Sequence, residues 1–166
     1  MLDVRLPEYA FAISLYVWFR DLDAMGHVNN AVFFTYFEQV RTRYWLSLLS
    51  DERSSPLGPI HQENDFRKLG FIVVHAEADY QAPARLGDSL LVGCRVSEIR
   101  RTSFVFDYKV VSGEKNTSDT ESRQIATGRT VQALYDWETE KTVPFGDALR
   151  KKIEAREGSK VRVSGR

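Results

Sequence analysis

The stretch VFFTYFEQVRTRYWLSLL, residues 32–49, constrains this chain more than any other. Val32, Phe33, Phe34, Tyr36, Phe37, Val40, Tyr44, Trp45, Leu48 and Leu49 predict a helix running to about Leu49 whose apolar side chains cover far more than one stripe. A helix that is apolar nearly all round is buried. Something must therefore wrap it, and the rest of the chain supplies strands. Phe11, Ile13, Leu15, Val17 and Phe19 alternate with Ala12, Ser14, Tyr16 and Trp18, the period-two pattern of a strand with one apolar face. Four more strand-like runs follow: Gly70–Tyr80, Ser89–Ile99, Ser103–Val111 and Arg123–Asp136.

The connections Arg85–Asp88 and Arg100–Thr102 are short, which predicts that the strands flanking each are antiparallel neighbours. Ser50–Asn64 is rich in Ser, Pro, Gly and charge and reads as a loop; Gly113–Ser122 reads as a mobile polar hairpin tip. Pro144–Arg156 predicts a short helix, and residues 157–166 have no pattern and read as a flexible C-terminal tail. The expectation is one domain over residues 1–156, of α+β class: a five-stranded antiparallel sheet around a long central helix. Such a sheet leaves open edges, and edges are usually managed by pairing, so a dimer is expected.

Composition narrows the function. The formal net charge is zero, which argues against binding nucleic acid through bulk charge. The one cysteine, Cys94, excludes an internal disulfide framework and a multi-cysteine zinc site, and reads as a buried small hydrophobe. No stretch approaches the ~20 apolar residues of a membrane span. The N-terminal MLDVRLPEYAF lacks a basic region followed by an apolar run, so cytoplasmic residence is expected. No set of His, Asp and Glu has metal-ligand spacing, and no metal or redox cofactor is implied.

The chemistry-bearing segment is Arg20–Arg41, RDLDAMGHVNNAVFFTYFEQVR. Two aspartates, Asp21 and Asp23, end the first strand, and Met25–Asn30 make a turn into the helix. Asn29 or Asn30 is suited to cap that helix. Asp23 thus falls near a helix N-terminus, where unpaired N–H groups favour negative charge. A carboxylate base or nucleophile beside oxyanion donors is what acyl transfer needs. On the bland reading Asp23 caps the helix or holds the turn through an Asx hydrogen bond. His27 is the other candidate, since imidazole titrates near neutral pH. The three histidines, however, share no triad spacing with a Ser or Cys. Glu38 and Arg41, at i and i+3, read as an intrahelical ion pair. Arg100 and Arg101 read as solvated side chains or, functionally, as a phosphate grip, because guanidinium binds phosphate bidentately.

From about Ala12 to Ile153 the chain resembles the 4-hydroxybenzoyl-CoA thioesterase family of hot-dog-fold enzymes. The resemblance is carried by Asp21-Leu22-Asp23 with Gly26-His27-Val28-Asn29-Asn30, by Tyr80–Asp88 and by Arg100–Val105. The form Asp-Leu-Asp followed by His-Val-Asn-Asn also looks like the plant-type acyl-carrier-protein thioesterases. The resemblance implies the hot-dog fold and hydrolysis of an acyl-CoA thioester to a free acid and coenzyme A. It implies Asp23 as the catalytic carboxylate, and the N–H groups of Asn30 and Gly70 as oxyanion donors. On the functional view Asn29 positions water, and His27, where the family often carries other residues, shapes the pocket or the turn. Arg100, Arg101 and Ser103 would contact the nucleotide of coenzyme A; Thr102 stands where the family enzyme has a Lys. The expected assembly is a homodimer or homotetramer. Three alternatives stay open at this point. They are the same hydrolysis on acyl-carrier protein, hydration or dehydration of a hydroxyacyl thioester, and a non-catalytic acyl-thioester-binding module.

Overall fold

In the computed structural model the described residues are 6–49, 54–55, 58–59, 70–112 and 122–164. In chain order the elements are β1 Phe11–Tyr16, α1 Val32–Leu49, β2 Ser54–Ser55, β3 Gly58–Pro59, β4 Phe71–Tyr80, β5 Ser89–Ile99, β6 Ser103–Ser112, β7 Gln124–Asp136, β8 Lys141–Thr142, α2 Asp147–Glu157 and β9 Arg162–Val163. The five long strands form one sheet in the order β1-β5-β6-β7-β4, with β8 added to β7 and β9 to β5. The long strands and the single long helix are those the alternation and the apolar run predict. The segment read as a loop after α1 contains the small β2–β3 ladder, with Ser54 opposite Pro59. The polar tip 113–121 lies outside the described residues.

Four expectations need correction. First, β4 and β5 are not neighbours: β4 borders β7, and β5 lies between β1 and β6. The segment from Gln81 to Asp88 is a crossover. Gln81 N–H donates to Ile125 O at 2.9 Å, and Val17 and Asp88 then pair through Val17 N–H to Asp88 O, also 2.9 Å. Second, Phe19 does not continue the first strand; it lies in a 3₁₀ turn, Phe19–Asp21, and is exposed. Third, α1 is not buried all round. Phe33, Tyr36, Phe37, Val40, Arg41, Tyr44, Trp45 and Leu48 form one buried stripe at i, i+3, i+4 spacing, while Thr35, Glu38, Arg43 and Leu46 are exposed. Arg41 belongs to the buried stripe, so it does not pair with Glu38; its Nη1 donates to Tyr108 OH at 3.1 Å. Fourth, the C-terminal segment has structure. Gly158–Lys160 form a 3₁₀ turn, and β9 pairs in parallel with Glu98 and Ile99 of β5.

The chain divides into two compact units: residues 1–41, 77–95 and 107–129, and residues 42–76, 96–106 and 130–166. In the first, Phe37 of α1 stacks on Tyr108 of β6 with ring centroids 4.5 Å apart. Gly128 of β7 is required beside it, because a Cβ there would overlap the Phe37 ring. β1 pairs antiparallel with β5 from Phe11 opposite Cys94 to Tyr16 opposite Ser89, and Cys94 is buried. In the second, Trp45 stacks on Phe104 at 5.1 Å and meets the edge of Phe71 at 5.3 Å. Tyr44 OH donates to the buried Glu157 of α2 at 2.6 Å, and Glu157 Oε1 also accepts Val96 N–H at 3.0 Å. Each half of the α1 stripe thus packs against the strands of its own unit.

Candidate active site

The first unit holds Asp21, Asp23, His27, Asn29 and Asn30 on one compact turn. Leu22 and Val28 form a β-bridge, and Asp23 N–H donates to His27 O at 2.9 Å, closing a tight loop between them. Gly26 takes φ +75° in that loop, a conformation a side chain disfavours. Asp21 anchors the loop from beneath. It is buried, and its Oδ2 accepts Trp18 N–H and Tyr36 OH, both at 2.9 Å. Burial, aided by the Asp21 hydrogen bond, pushes the Tyr36 phenol well above its ordinary pKa, so it remains a donor. The structural role read for Asp21 is therefore what the geometry supplies.

Asp23 sits two residues further on and is only half-buried. Its Oδ1 accepts Met25 N–H at 2.8 Å and His27 N–H at 3.4 Å, the Asx-type arrangement of the bland reading. Its Oδ2 has no hydrogen-bond partner among the described residues. One oxygen holds the turn and the other is left for chemistry, so the two readings of Asp23 are compatible.

Asn29 caps α1: its Oδ1 accepts Ala31 N–H at 2.9 Å, and its carbonyl accepts Val32 N–H at 2.9 Å. The N–H of Asn30 has no partner among the described residues, whereas its carbonyl accepts Tyr80 OH at 2.9 Å. A cavity of about 360 Å³ opens here. Asp23 and Asn30 line it on the turn side, Val28 and Phe33 contribute apolar wall, and Tyr80 with the crossover Gln81–Ala84 closes the far side. The crossover is tied to the turn by Val28 N–H donating to Ala84 O at 2.9 Å. His27 and Asn29 do not line the cavity.

Sequence reasoning did not assign Phe33, Tyr80 or the crossover to this cavity. The available signal was the resemblance of Tyr80–Asp88 to a family connection. The Tyr36–Asp21 hydrogen bond had no sequence signal beyond the rule that a buried phenol needs an acceptor.

Gly70, Arg100, Arg101 and Ser103 belong to the second unit. Gly70 is buried, takes φ +71°, and its carbonyl accepts Tyr135 N–H at 2.9 Å. The β5–β6 hairpin is closed by Arg100 N–H donating to Ser103 O at 2.8 Å. Arg100 is not simply a solvated side chain. Its Nε and Nη2 donate to the two carboxylate oxygens of Glu98 at 3.1 and 3.2 Å. Arg100 first, then Arg162 and Ser164, hold the Glu98 carboxyl down at about 2. Arg101 is exposed, and its side chain makes no hydrogen bond or ion pair among the described residues.

Comparisons with known proteins agree with this architecture. A profile of the thioesterase-like superfamily matches residues 17–153. The acyl-CoA thioesterase YbgC of Haemophilus influenzae is 29% identical over 104 residues, 63% of this chain and 71% of that protein. The Escherichia coli O6:H1 acyl-CoA thioester hydrolase YbgC is 31% identical over 98 residues, and the match spans 66% of its length, just under two thirds. Among solved structures, a Thermus thermophilus thioesterase complexed with coenzyme A and Zn is 31% identical, with TM-score 0.71 over 91% of this chain and 96% of that one. The 4-hydroxybenzoyl CoA thioesterase of Pseudomonas sp. strain CBS-3 shares the fold, with TM-score 0.67 over 85% of this chain and 96% of that one, at 17% identity. With the expected α+β architecture in place and the profile covering the turn, the central helix and all the later long strands, the chain belongs to the thioesterase-like superfamily and has its hot-dog fold.

Proposed function

We propose that the protein hydrolyses an acyl-CoA thioester to a free carboxylic acid and coenzyme A. The observation that carries this reading is the placing of Asp23 and the unpaired Asn30 N–H on one cavity at the start of α1. The relatives named as acyl-CoA thioesterases supply the substrate class. The thioester carbonyl would accept Asn30 N–H, whose position at the helix N-terminus favours the negative charge that develops on oxygen. Asp23 Oδ2 would then act in one of two ways. As general base it takes a proton from water as the water oxygen bonds to the carbonyl carbon. As nucleophile it bonds to that carbon itself and gives a mixed anhydride, which water later cleaves. In both routes the C–S bond breaks and the thiolate leaves, to be protonated as coenzyme A. Gly70 as a second oxyanion donor, and Arg100, Arg101 and Ser103 as nucleotide contacts, enter the proposal on the family resemblance alone. Asn29 acts by capping the helix that presents Asn30, and His27 by closing the Asp23 turn.

The same proposal includes a cytoplasmic homodimer or a larger homo-oligomer. β4 supports association: among the described residues it borders only β7, and most of its residues are exposed, Val73 and Val74 among them. Among the described residues, no helix is long and apolar enough to cross a membrane.

Release of free thiol from a panel of acyl-CoAs and acyl-carrier proteins tests the function. Turnover of acyl-CoA is the expected result. Turnover of acyl-carrier protein alone would transfer the chemistry to a protein-borne acyl donor. Binding without turnover of any substrate would make the chain an acyl-thioester-binding module.

A further inference from the structure

Within the first compact unit, the backbone that carries Asn30 is held by three groups outside the helix. Val28 N–H donates to Ala84 O, Asn29 N–H donates to Asp21 O, and Tyr80 OH donates to Asn30 O, each at 2.9 Å. The first two are backbone bonds; the third depends on one side chain. Asn30 O has no other donor among the described residues, because the first turn of α1 is wound tightly and passes it over. Val32 N–H donates to Asn29 O at 2.9 Å, and Phe34 N–H donates to Ala31 O at 3.2 Å. In a regular α-helical turn Phe34 N–H would instead reach back four residues to Asn30 O. Tyr80 OH thus occupies the acceptor that a relaxed first turn would use. Tyr80 is 46% exposed, so water could satisfy its hydroxyl and burial does not oblige it to find a protein acceptor. Its aim comes from packing. It ends β4, its ring meets the edge of Phe33 with centroids 5.3 Å apart, and the next residue is fixed by Gln81 N–H donating to Ile125 O at 2.9 Å. Partial burial raises the Tyr80 phenol above its ordinary pKa, so the hydroxyl keeps the proton that it donates.

We infer that Tyr80 is a positioning residue: its hydroxyl holds the Asn30 carbonyl away from the helix ladder and so sets the direction of the Asn30 N–H beside Asp23. This rests on the acyl-CoA reading above, in which that N–H is the oxyanion donor, and deepens it. The Asn30 carbonyl and N–H flank the same Cα. Once the carbonyl is released, the Asn30–Ala31 peptide can rotate toward Phe34 N–H, and the Asn30 N–H turns with it. An oxyanion donor acts through being fixed before the reaction, without reorganisation as charge develops. A misdirected donor is therefore felt in the transition state, where the oxygen is charged, and much less in the bound substrate.

The test compares the full chain as wild type and as Tyr80→Phe, which keeps the ring against Phe33 and removes only the hydroxyl. Two readouts are taken. One is kcat and KM on an acyl-CoA. The other is the infrared carbonyl stretch of a bound, isotope-labelled ketone analogue of the same acyl-CoA, in which CH₂ replaces the thioester sulfur. The expected result is about a tenfold fall in kcat with KM within about twofold of wild type, less than the roughly hundredfold cost of removing an oxyanion donor outright. The stretch, lowered by the donor in wild type, should rise toward its unbonded frequency in Tyr80→Phe. A hydroxyl that served only to support the fold would change the urea midpoint and leave the stretch where it is. An unmoved stretch or a wild-type kcat in Tyr80→Phe would overturn the inference and leave the hydrolase reading intact, as would a change confined to KM. A wild type that hydrolyses no thioester, yet lowers the stretch of the bound analogue in a way that Tyr80→Phe reverses, would sustain the positioning role and remove the hydrolase reading. A stretch not lowered in wild type would overturn the inference whatever the hydrolysis assay shows.

Discussion

In Asp23→Asn the oxygen that accepts Met25 N–H at 2.8 Å and His27 N–H at 3.4 Å survives as an amide oxygen. The turn therefore keeps its acceptor and loses only the charge that strengthens those bonds. At a half-exposed turn this is worth about 1 kcal/mol or less of stability. The chemistry changes far more, because the atom that becomes NH₂ is Oδ2, the oxygen with no partner among the described residues. An amide there can neither take a proton from water nor attack a carbonyl. Loss of a general base or nucleophile costs on the order of a hundredfold or more in kcat, equivalent to at least about 2.7 kcal/mol of barrier. The variant should thus unfold in urea close to the wild-type midpoint while thiol release from acyl-CoA falls at least a hundredfold. His27→Ala should cost much less, since the His27 backbone groups close the turn and the residue does not line the cavity. A folded Asp23→Asn protein with near-normal kcat would refute the reasoning. A variant that loses several kcal/mol of stability would show the carboxylate to be chiefly structural, and a deeper loss in His27→Ala would reverse the two roles.

Gly128→Ala should destabilise the protein by roughly 1–3 kcal/mol, the usual cost of overpacking, because the new methyl overlaps a Phe37 ring already stacked on Tyr108; an unchanged urea midpoint would show that the ring can move aside. Glu98 is held at about 2 against an ordinary 4.5, so the folded state binds fewer protons there than the unfolded chain. Its contribution is fully present above pH 4.5 and is lost as the pH falls toward 2. The linkage ceiling of about 3 kcal/mol shrinks to about 1–2 because the partner guanidiniums are solvent-screened. Between those pH values wild type should lose more stability than Glu98→Gln, and parallel curves would dismiss that contribution. Sedimentation equilibrium should show at least a dimer at micromolar concentration, and a fully active monomer would remove association from the proposal.

What could be read from the residues alone is local. The bounds of β5 at Ser89–Ile99, the end of α1 at Leu49 and the turn from Asp21 into the helix follow from period-two alternation, helical spacing and capping chemistry, all set by neighbours a few residues apart. Asp23 and Asn30 share a cavity for the same reason: seven positions along one turn keep them together. Partner choice was not legible. That β4 borders β7, that Arg41 turns inward to Tyr108, and that Arg162 reaches Glu98 depend on contacts between residues far apart in the chain. Alternation reports which faces of a strand are buried but not which strand lies beside it. An arginine at i+3 from a glutamate also looks the same whether its helix face points to solvent or to the core. Only the tertiary structure decides between those states, because burial makes a charge seek the strongest partner within reach, wherever in the chain that partner lies.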